Sequence, residues 1–133
     1  MTSKDHLQPG YPFEKIRAWQ EAHRLALTIY RVSNGFPESE RFGITNQLRR
    51  AATSVTANLA EGVRRATARD YAHFVNLAEG SMSEVKNFLI LVRDLEYLPH
   101  DSVQPLINLA DQICAMLYSL RHEILEHARQ PKP

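Results

Sequence analysis

Apolar residues recur along the chain at helical spacing in four segments. The segments cover about residues 14–33, 43–61, 68–96 and 102–127, and none shows a sustained period of two. Four helices of this length joined by short loops predict an all-α fold, an antiparallel up-down-up-down four-helix bundle. The clearest apolar stripe belongs to the second segment and consists of Ile44, Leu48, Ala51, Val55 and Leu59.

Turn and cap residues separate the four predicted helices. Gly35 follows the first, and Gly62 is placed to end the second as a left-handed residue beyond its last turn. Thr67 with Asp70 three residues later resembles a capping box and predicts the start of the third helix. Pro105 falls in the first turn of the fourth, where proline is tolerated.

The third predicted helix is apolar over more than half of its circumference. One face carries Phe74, Ala78, Val85, Leu89 and Val92. A lone bundle needs a narrower stripe, so the excess predicts burial against another copy of the chain, although deeper burial in a monomer is the alternative. Gly80 and Ser81 on the adjoining flank predict close helix packing. The additional apolar residues are Leu77, Phe88, Leu91 and Leu95.

Length and charge indicate one domain with a local charge asymmetry. The 133 residues carry a formal net charge of +1, which gives no overall attraction to nucleic acid or acidic lipid. Residues 41–69 contain six arginines and one acid, whereas residues 70–126 contain nine acids and three basic residues. From the extent of the four helical segments we expect a flexible tail over residues 1–12, the helical domain over 13–128 and a second tail over 129–133.

Cellular location is predicted from the cysteine and the apolar segments. The single cysteine, Cys114, cannot form an intramolecular disulfide and lies in an apolar pattern, which favours a core position in a reducing compartment. The sequence starts without an apolar signal region, and no segment is apolar enough to span a membrane. We expect a cytoplasmic protein with no membrane partner.

A line of polar residues runs beside the apolar stripe of the second predicted helix. Its members project within about 80° of one another. Such a line can bind a ligand or can form a hydrogen-bonded seam between helices or subunits, and the second is commoner. Glu84 on the third helix is expected at the edge of buried surface, with Arg50 or Arg49 as its partner. The polar line consists of Gln47, Arg50, Ser54, Asn58 and Glu61.

Catalytic and metal-binding patterns are absent from the sequence. Metal sites in helical bundles usually use two Glu-x-x-His pairs, whereas Asp70 and His73 form the one acid–histidine pair at this spacing. No HExxH, GxSxG, GxGxxG or P-loop pattern occurs. We predict neither an enzyme, nor a metal site, nor a cofactor.

Five arginines around the second interhelical loop are candidates for binding nucleic acid. Arginine suits phosphate recognition, but it suits ion pairs at a subunit interface equally. No aromatic residue falls between Phe42 and Tyr71, so we expect no base-stacking platform from this segment and only weak sequence preference. The five are Arg49, Arg50, Arg64, Arg65 and Arg69.

Three stretches of the chain resemble a known family of small bundle proteins, those encoded by intervening sequences of bacterial 23S rRNA genes. The stretches are FEKIRAWQEAHRLA, FPESERFGITNQLRRAATSVTANLAEG and FVNLAEGSMSEVKNFLILVRDLEYL, within residues 13–125. Thr56 departs from the family, which often has proline there. The most specific matches are Thr45, Gln47, Arg49, Arg50, Ala51, Ser54, Asn58, Glu61, Gly62, Gly80, Ser81 and Glu84.

The resemblance implies a left-handed antiparallel bundle that assembles as a ring-shaped homopentamer without known catalytic activity. It also implies a relation to the accessory variability protein of diversity-generating retroelements, a basic pentamer that binds nucleic acid and a reverse transcriptase. The leading hypothesis is a homo-oligomeric adaptor that binds RNA, or a nucleic-acid-handling protein, through the arginines. The alternative is an assembly scaffold with no nucleic-acid role.

Overall fold

A computed structural model describes residues 4–130 as four α-helices joined by short loops. No strand occurs within that range, so the prediction of an all-α protein with four helices is confirmed. Single turns of 3₁₀-helix lie at Asp5–Leu7, Phe13–Lys15 and Glu38–Glu40. The helices are α1 at Arg17–Ser33, α2 at Ile44–Gly62, α3 at Ala68–Asp94 and α4 at His100–Arg129.

The four helices enclose one apolar core. Each helix packs against the next in the chain, and α1 also packs against α4. Apolar residues at helical spacing place one face of every helix inside, which removes that face from water and supplies most of the stabilisation. Fully buried side chains from the four helices include Leu25, Leu48, Leu89 and Leu117.

Polar pairs join α3 to α4 at three levels. From one pair to the next, the residue numbers increase along α3 and decrease along α4. Arg121 donates to both carboxylate oxygens of Glu79, which makes the first pair bidentate. The pairs are Glu79 with Arg121, Lys86 with Asp111 at 2.7 Å, and Arg93 with Gln104 at 3.2 Å.

The loop between α2 and α3 corrects one prediction and bears out another. Gly62 is the last residue of α2 and has no left-handed backbone, and the helix is followed by Val63 in right-handed geometry. Glycine is needed there for a different reason, because a Cβ at Gly62 would lie 2.5 Å from the Cβ of Phe74. Thr67 caps α3 as predicted, since its side chain accepts a hydrogen bond from the Asp70 amide.

The left-handed helix end occurs instead after α3. Glu96 has φ of 60°, and α3 ends at Asp94, two residues before the predicted end. The Glu96 amide donates to the Arg93 carbonyl and the Tyr97 amide donates to the Val92 carbonyl, which is the Schellman arrangement of a helix terminus. A non-glycine residue therefore occupies a backbone position that usually favours glycine.

The first and last helices differ from the predicted bounds at their outer ends. α1 begins at Arg17 rather than near residue 14, because Ile16 is extended and separates it from the Phe13–Lys15 turn. α4 begins directly after Pro99, includes Pro105 and continues to Arg129. Residues 131–133 of the predicted C-terminal tail lie outside the described residues.

The N-terminal segment packs on the helices over part of the stretch predicted to be a flexible tail, residues 1–12. Leu7 is buried in the common core. The Tyr71 hydroxyl on α3 donates to the carbonyl of His6 at 3.0 Å, so a buried polar group finds its partner in this segment. Residues 1–3 lie outside the described range.

Candidate functional site

The middle of the predicted polar line forms a hydrogen-bonded contact between α2 and α3. Ser54 accepts from the side-chain amide of Asn58, at its carbonyl and at its hydroxyl oxygen. The hydroxyl of Ser81 on α3 lies 3.0 Å from the hydroxyl of Ser54 and donates to it. Ser81 thus contacts α2 directly, whereas Glu61 at the end of the line pairs with Arg65 at 2.5 Å.

A polar groove of about 430 Å³ lies between α2 and α3 beside this contact. Its walls combine side chains from the turn before α2 with side chains from both helices. Phe42 at its edge is 84% exposed, which is unusual for so large an apolar side chain. Sequence reasoning did not select Phe42, because a residue before a helix carries no periodic signal. The lining residues are Phe42, Asn46, Gln47, Arg50, Ala51, Ser54, Ser81 and Glu84.

Arg50 and Glu84 line the same groove but are not paired. Glu84 is exposed rather than at the edge of buried surface. Among residues 4–130, neither side chain takes part in a hydrogen bond or an ion pair, so the expected partnership of Glu84 with Arg50 or Arg49 does not occur within one chain. Two opposite charges are therefore available on this surface to a second molecule.

Arg49 is bound inside the domain. Its Nε donates to the Ser33 hydroxyl at 2.8 Å, and its Nη2 donates to the Tyr30 carbonyl at 3.3 Å. Nη2 also donates to the Asn34 side-chain oxygen at 3.0 Å, and the guanidinium lies 4.8 Å from the Tyr30 ring centroid. Since these groups form the carboxyl end of α1, Arg49 neutralises that helix terminus and ties α2 to α1.

The remaining candidate arginines divide into a paired and an unpaired set. Arg65 pairs with Glu61, and its guanidinium lies 4.6 Å from the centroid of the Phe74 ring. Arg64 and Arg69 are exposed, and their side chains form no hydrogen bond or ion pair with residues 4–130. The three loop arginines, although near one another in the sequence, therefore do not share one structural role.

An exposed apolar stripe runs along α3. Leu77, Leu91 and Leu95 are 42%, 43% and 45% exposed. Of the residues predicted for the core face, Ala78, Val85, Leu89 and Val92 are buried and Phe74 is partly buried. Gly80 lies on the same side of the helix, and a Cβ there would meet nothing within 4 Å. Within one chain Gly80 therefore makes no close helix contact, and its predicted role stays a prediction about a neighbouring subunit.

Several groups that do not line the groove have pKa values shifted by burial or by hydrogen bonding. Burial raises the pKa of Tyr71, and the hydrogen bond to Glu40 at 2.6 Å is the main cause that raises the pKa of Tyr97. Burial also raises the pKa of the half-buried Cys114 thiol, which suppresses the reactive thiolate. These shifts are typical of structural groups.

No group of three or more potential metal ligands comes together within residues 4–130. In the same range, none of the helices combines the length and the apolar content needed to cross a bilayer.

Comparison with known proteins identifies the family. Residues 14–119 match the family described as 23S rRNA-intervening sequence protein, which is most of the chain. The chain belongs to this family. Comparison with curated proteins finds no match.

A solved structure shares the fold of this family member. It is a crystal structure of a protein with unknown function from the S23 ribosomal protein family of Bacteroides thetaiotaomicron. The two chains are 22% identical and superpose with a TM-score of 0.71, over 77% of this chain and 95% of the other.

Proposed function

We propose that the protein is a non-enzymatic scaffold that assembles with copies of itself through the α2–α3 face. The helices run up-down-up-down in this proposal, which the three successive pairs between α3 and α4 support. The observation that carries self-assembly is the set of exposed leucines on one side of α3, because several large apolar side chains exposed on the same side of a helix typically mark an interface.

The surroundings of the stripe favour a second copy of the chain as its partner. Phe42 projects beside the groove that holds the unpaired Arg50 and Glu84. A heterologous contact, in which one copy's Phe42 side meets the next copy's stripe, closes into a ring when the rotation allows. We propose five copies, the ring that the family resemblance implies, with the opposite charges pairing across subunits.

The matched pair Leu91→Glu and Leu27→Glu tests this assembly. Both leucines are 43% exposed, but Leu27 lies on α1 and away from the proposed face. Light scattering after size exclusion is expected to show Leu91→Glu dissociating while Leu27→Glu keeps the wild-type mass. Equal behaviour of the two variants rejects the α3 face as the interface.

Gly80 tests how closely the copies approach. Because Gly80 is exposed and a Cβ there meets nothing within 4 Å, we expect Gly80→Leu to leave the single domain folded. We expect Gly80→Leu to weaken the oligomer, as a bulky side chain then stands in the interface. An intact oligomer at micromolar concentration shows that Gly80 does not lie at the contact.

A second function, RNA binding, is supported by the unpaired cations Arg64 and Arg69. Repetition around a ring multiplies these charges and raises the effective affinity. Filter binding of structured RNA over a salt series is expected to fall steeply with salt and to fall further in Arg64→Gln/Arg69→Gln. The charge-matched control Arg17→Gln/Arg31→Gln lies on α1 and leaves binding unchanged. Absence of binding at low salt eliminates this function.

A further inference from the structure

A small pocket lies where the N-terminal segment meets the loop after α2. Its volume is about 300 Å³, at the lower end of the range for small-molecule sites. One wall is formed by consecutive residues of the N-terminal segment, and the other by Arg64. The lining residues are Gly10, Tyr11, Pro12, Phe13, Glu14 and Arg64.

A main-chain hydrogen bond holds the two walls together. The Gly10 amide donates to the Val63 carbonyl at 2.5 Å, directly before Arg64 in the chain. Gly10 has φ of 86°, a left-handed conformation that glycine adopts at no steric cost. The pocket is therefore built by tertiary contact and does not depend on the position of a free tail.

Arg64 is the cation available to a ligand in this pocket. Its neighbour Arg65 is bound to Glu61 and to the Phe74 ring, whereas the Arg64 guanidinium has no partner among residues 4–130. A guanidinium binds a phosphate with two parallel N–H donors. The pocket thus offers one unoccupied anion-binding group.

Aromatic side chains of the N-terminal segment line the same pocket as Arg64. Tyr11 and Phe13 line the pocket, and both are partly buried against the core. The Phe13 ring is held by an edge contact with Trp19, with ring centroids 5.3 Å apart. The stacking surface that the α2–α3 loop lacks in sequence is supplied here by the N-terminal segment.

Glu14 adds an acceptor to the same pocket. Its main-chain carbonyl accepts from Gln20 at 3.0 Å, but its carboxylate has no partner within residues 4–130 and does not pair with Arg64. A carboxylate accepts hydrogen bonds only, so it favours a ligand edge with adjacent N–H donors. A simple phosphate satisfies Arg64 but leaves Glu14 beside a second negative charge.

We propose that this pocket binds a guanine nucleotide unit. Arg64 holds the phosphate, Tyr11 or Phe13 stacks against the base, and Glu14 accepts hydrogen bonds from N1–H and N2–H of guanine. The proposal goes beyond self-assembly and deepens the RNA-binding function by naming a ligand at Arg64. A mononucleotide titration separates the two, because charge-driven binding to structured RNA does not require this pocket.

Calorimetric titration of the full chain with GMP, UMP and inorganic phosphate tests the proposal. GMP is expected to bind saturably, and about tenfold or more tightly than UMP, whose ring N–H is flanked by acceptor oxygens. Fluorescence of the single tryptophan, Trp19, provides a second readout through its contact with Phe13. Phosphate binding as tight as GMP, or no saturable GMP binding, overturns the proposal.

Three exposed-residue variants assign the roles. Arg64→Gln is expected to weaken GMP binding about tenfold or more, and Glu14→Gln to abolish the preference for GMP over UMP. Arg69→Gln is the control, because Arg69 is also exposed but does not line the pocket. An equal loss in Arg69→Gln shows general charge attraction and contradicts the pocket.

A comparison of two guanine sources completes the test. A short single-stranded RNA beginning with a 5′-phosphorylated guanosine that binds more tightly than GMP identifies an RNA end as the ligand. Equal or tighter binding of GMP identifies the free nucleotide. In both cases the loss in Arg64→Gln must persist, and its absence contradicts the proposal.

Discussion

Gly62 at the end of α2 lies against Phe74 in the second turn of α3, so closely that a Cβ at Gly62 would stand 2.5 Å from the Phe74 Cβ. The approach brings the two helices together directly after their connecting loop. A side chain at Gly62 would force the loop and Phe74 apart, while the polar contact of Ser54 with Ser81 lies farther along the same helix pair.

Gly62→Ala is expected to lower the free energy of unfolding by about 1–3 kcal/mol, the usual cost of overpacking. Gly80→Ala is the matched control, because both glycines are in helices and a Cβ at Gly80 meets nothing within 4 Å. We expect the control to gain up to about 1 kcal/mol from helix propensity. Urea unfolding measures both, and equal effects of the two substitutions refute close packing at Gly62.

Arg49→Ala is expected to destabilise the fold by about 1–3 kcal/mol, because the substitution leaves the carboxyl end of α1 without its donors. Arg49→Lys restores only part of the loss, since an ammonium cannot reproduce the guanidinium fork. The control Arg69→Ala changes stability by less than about 0.5 kcal/mol. Chemical denaturation that ranks Arg49→Ala with the control contradicts the structural role.

Glu96→Gly is expected to raise the free energy of unfolding by about 0.5–1 kcal/mol, because the left-handed position after α3 strains a residue with a Cβ. Asp94→Gly, at the last residue of α3, is expected to lower it instead, because Asp94 has no left-handed backbone and glycine there loses more conformational entropy on folding. Thermal unfolding of both variants checks the pair. A loss of stability in Glu96→Gly removes the account of strain.

Alkaline pH is expected to destabilise the protein through Tyr71. Burial raises the pKa of its hydroxyl, so the folded state retains a proton that the unfolded chain releases. The contribution is complete below the ordinary tyrosine pKa of about 10 and is lost as pH rises above it. The difference between the urea midpoints at neutral and at alkaline pH should therefore be smaller for Tyr71→Phe than for the wild type. Identical pH dependence of the two proteins contradicts this role.

The sequence predicted the helices better than the contacts between them. Helical spacing and the Thr67 cap depend on neighbours in the chain, and both are confirmed. The roles predicted for Gly62 and Arg49 differ from those in the structure, because their partners, Phe74 and the end of α1, lie in other helices. A local sequence pattern does not identify partners in another helix. The exposed side of α3 was readable because its leucines exceed what one core requires.

The pocket at Arg64 was not predicted for a related reason. Its aromatic and acidic residues lie some fifty positions before Arg64, and the hydrogen bond from Gly10 to Val63 brings them together. Gly10, Tyr11 and Pro12 of this pocket lie in the stretch predicted to be a flexible tail, residues 1–12, which would not form a fixed wall. Among residues 4–12, Leu7 alone is buried, so this part of the segment has little apolar signal of its own.

The most direct test of self-assembly is the mass of the wild-type protein in solution. Light scattering over a micromolar dilution series is expected to give a mass about five times the 15.2 kDa of one chain. A discrete mass at another multiple of 15.2 kDa would change the proposed number of subunits but not the proposed interface. A stable 15.2 kDa monomer throughout the series contradicts self-assembly through the leucine stripe of α3.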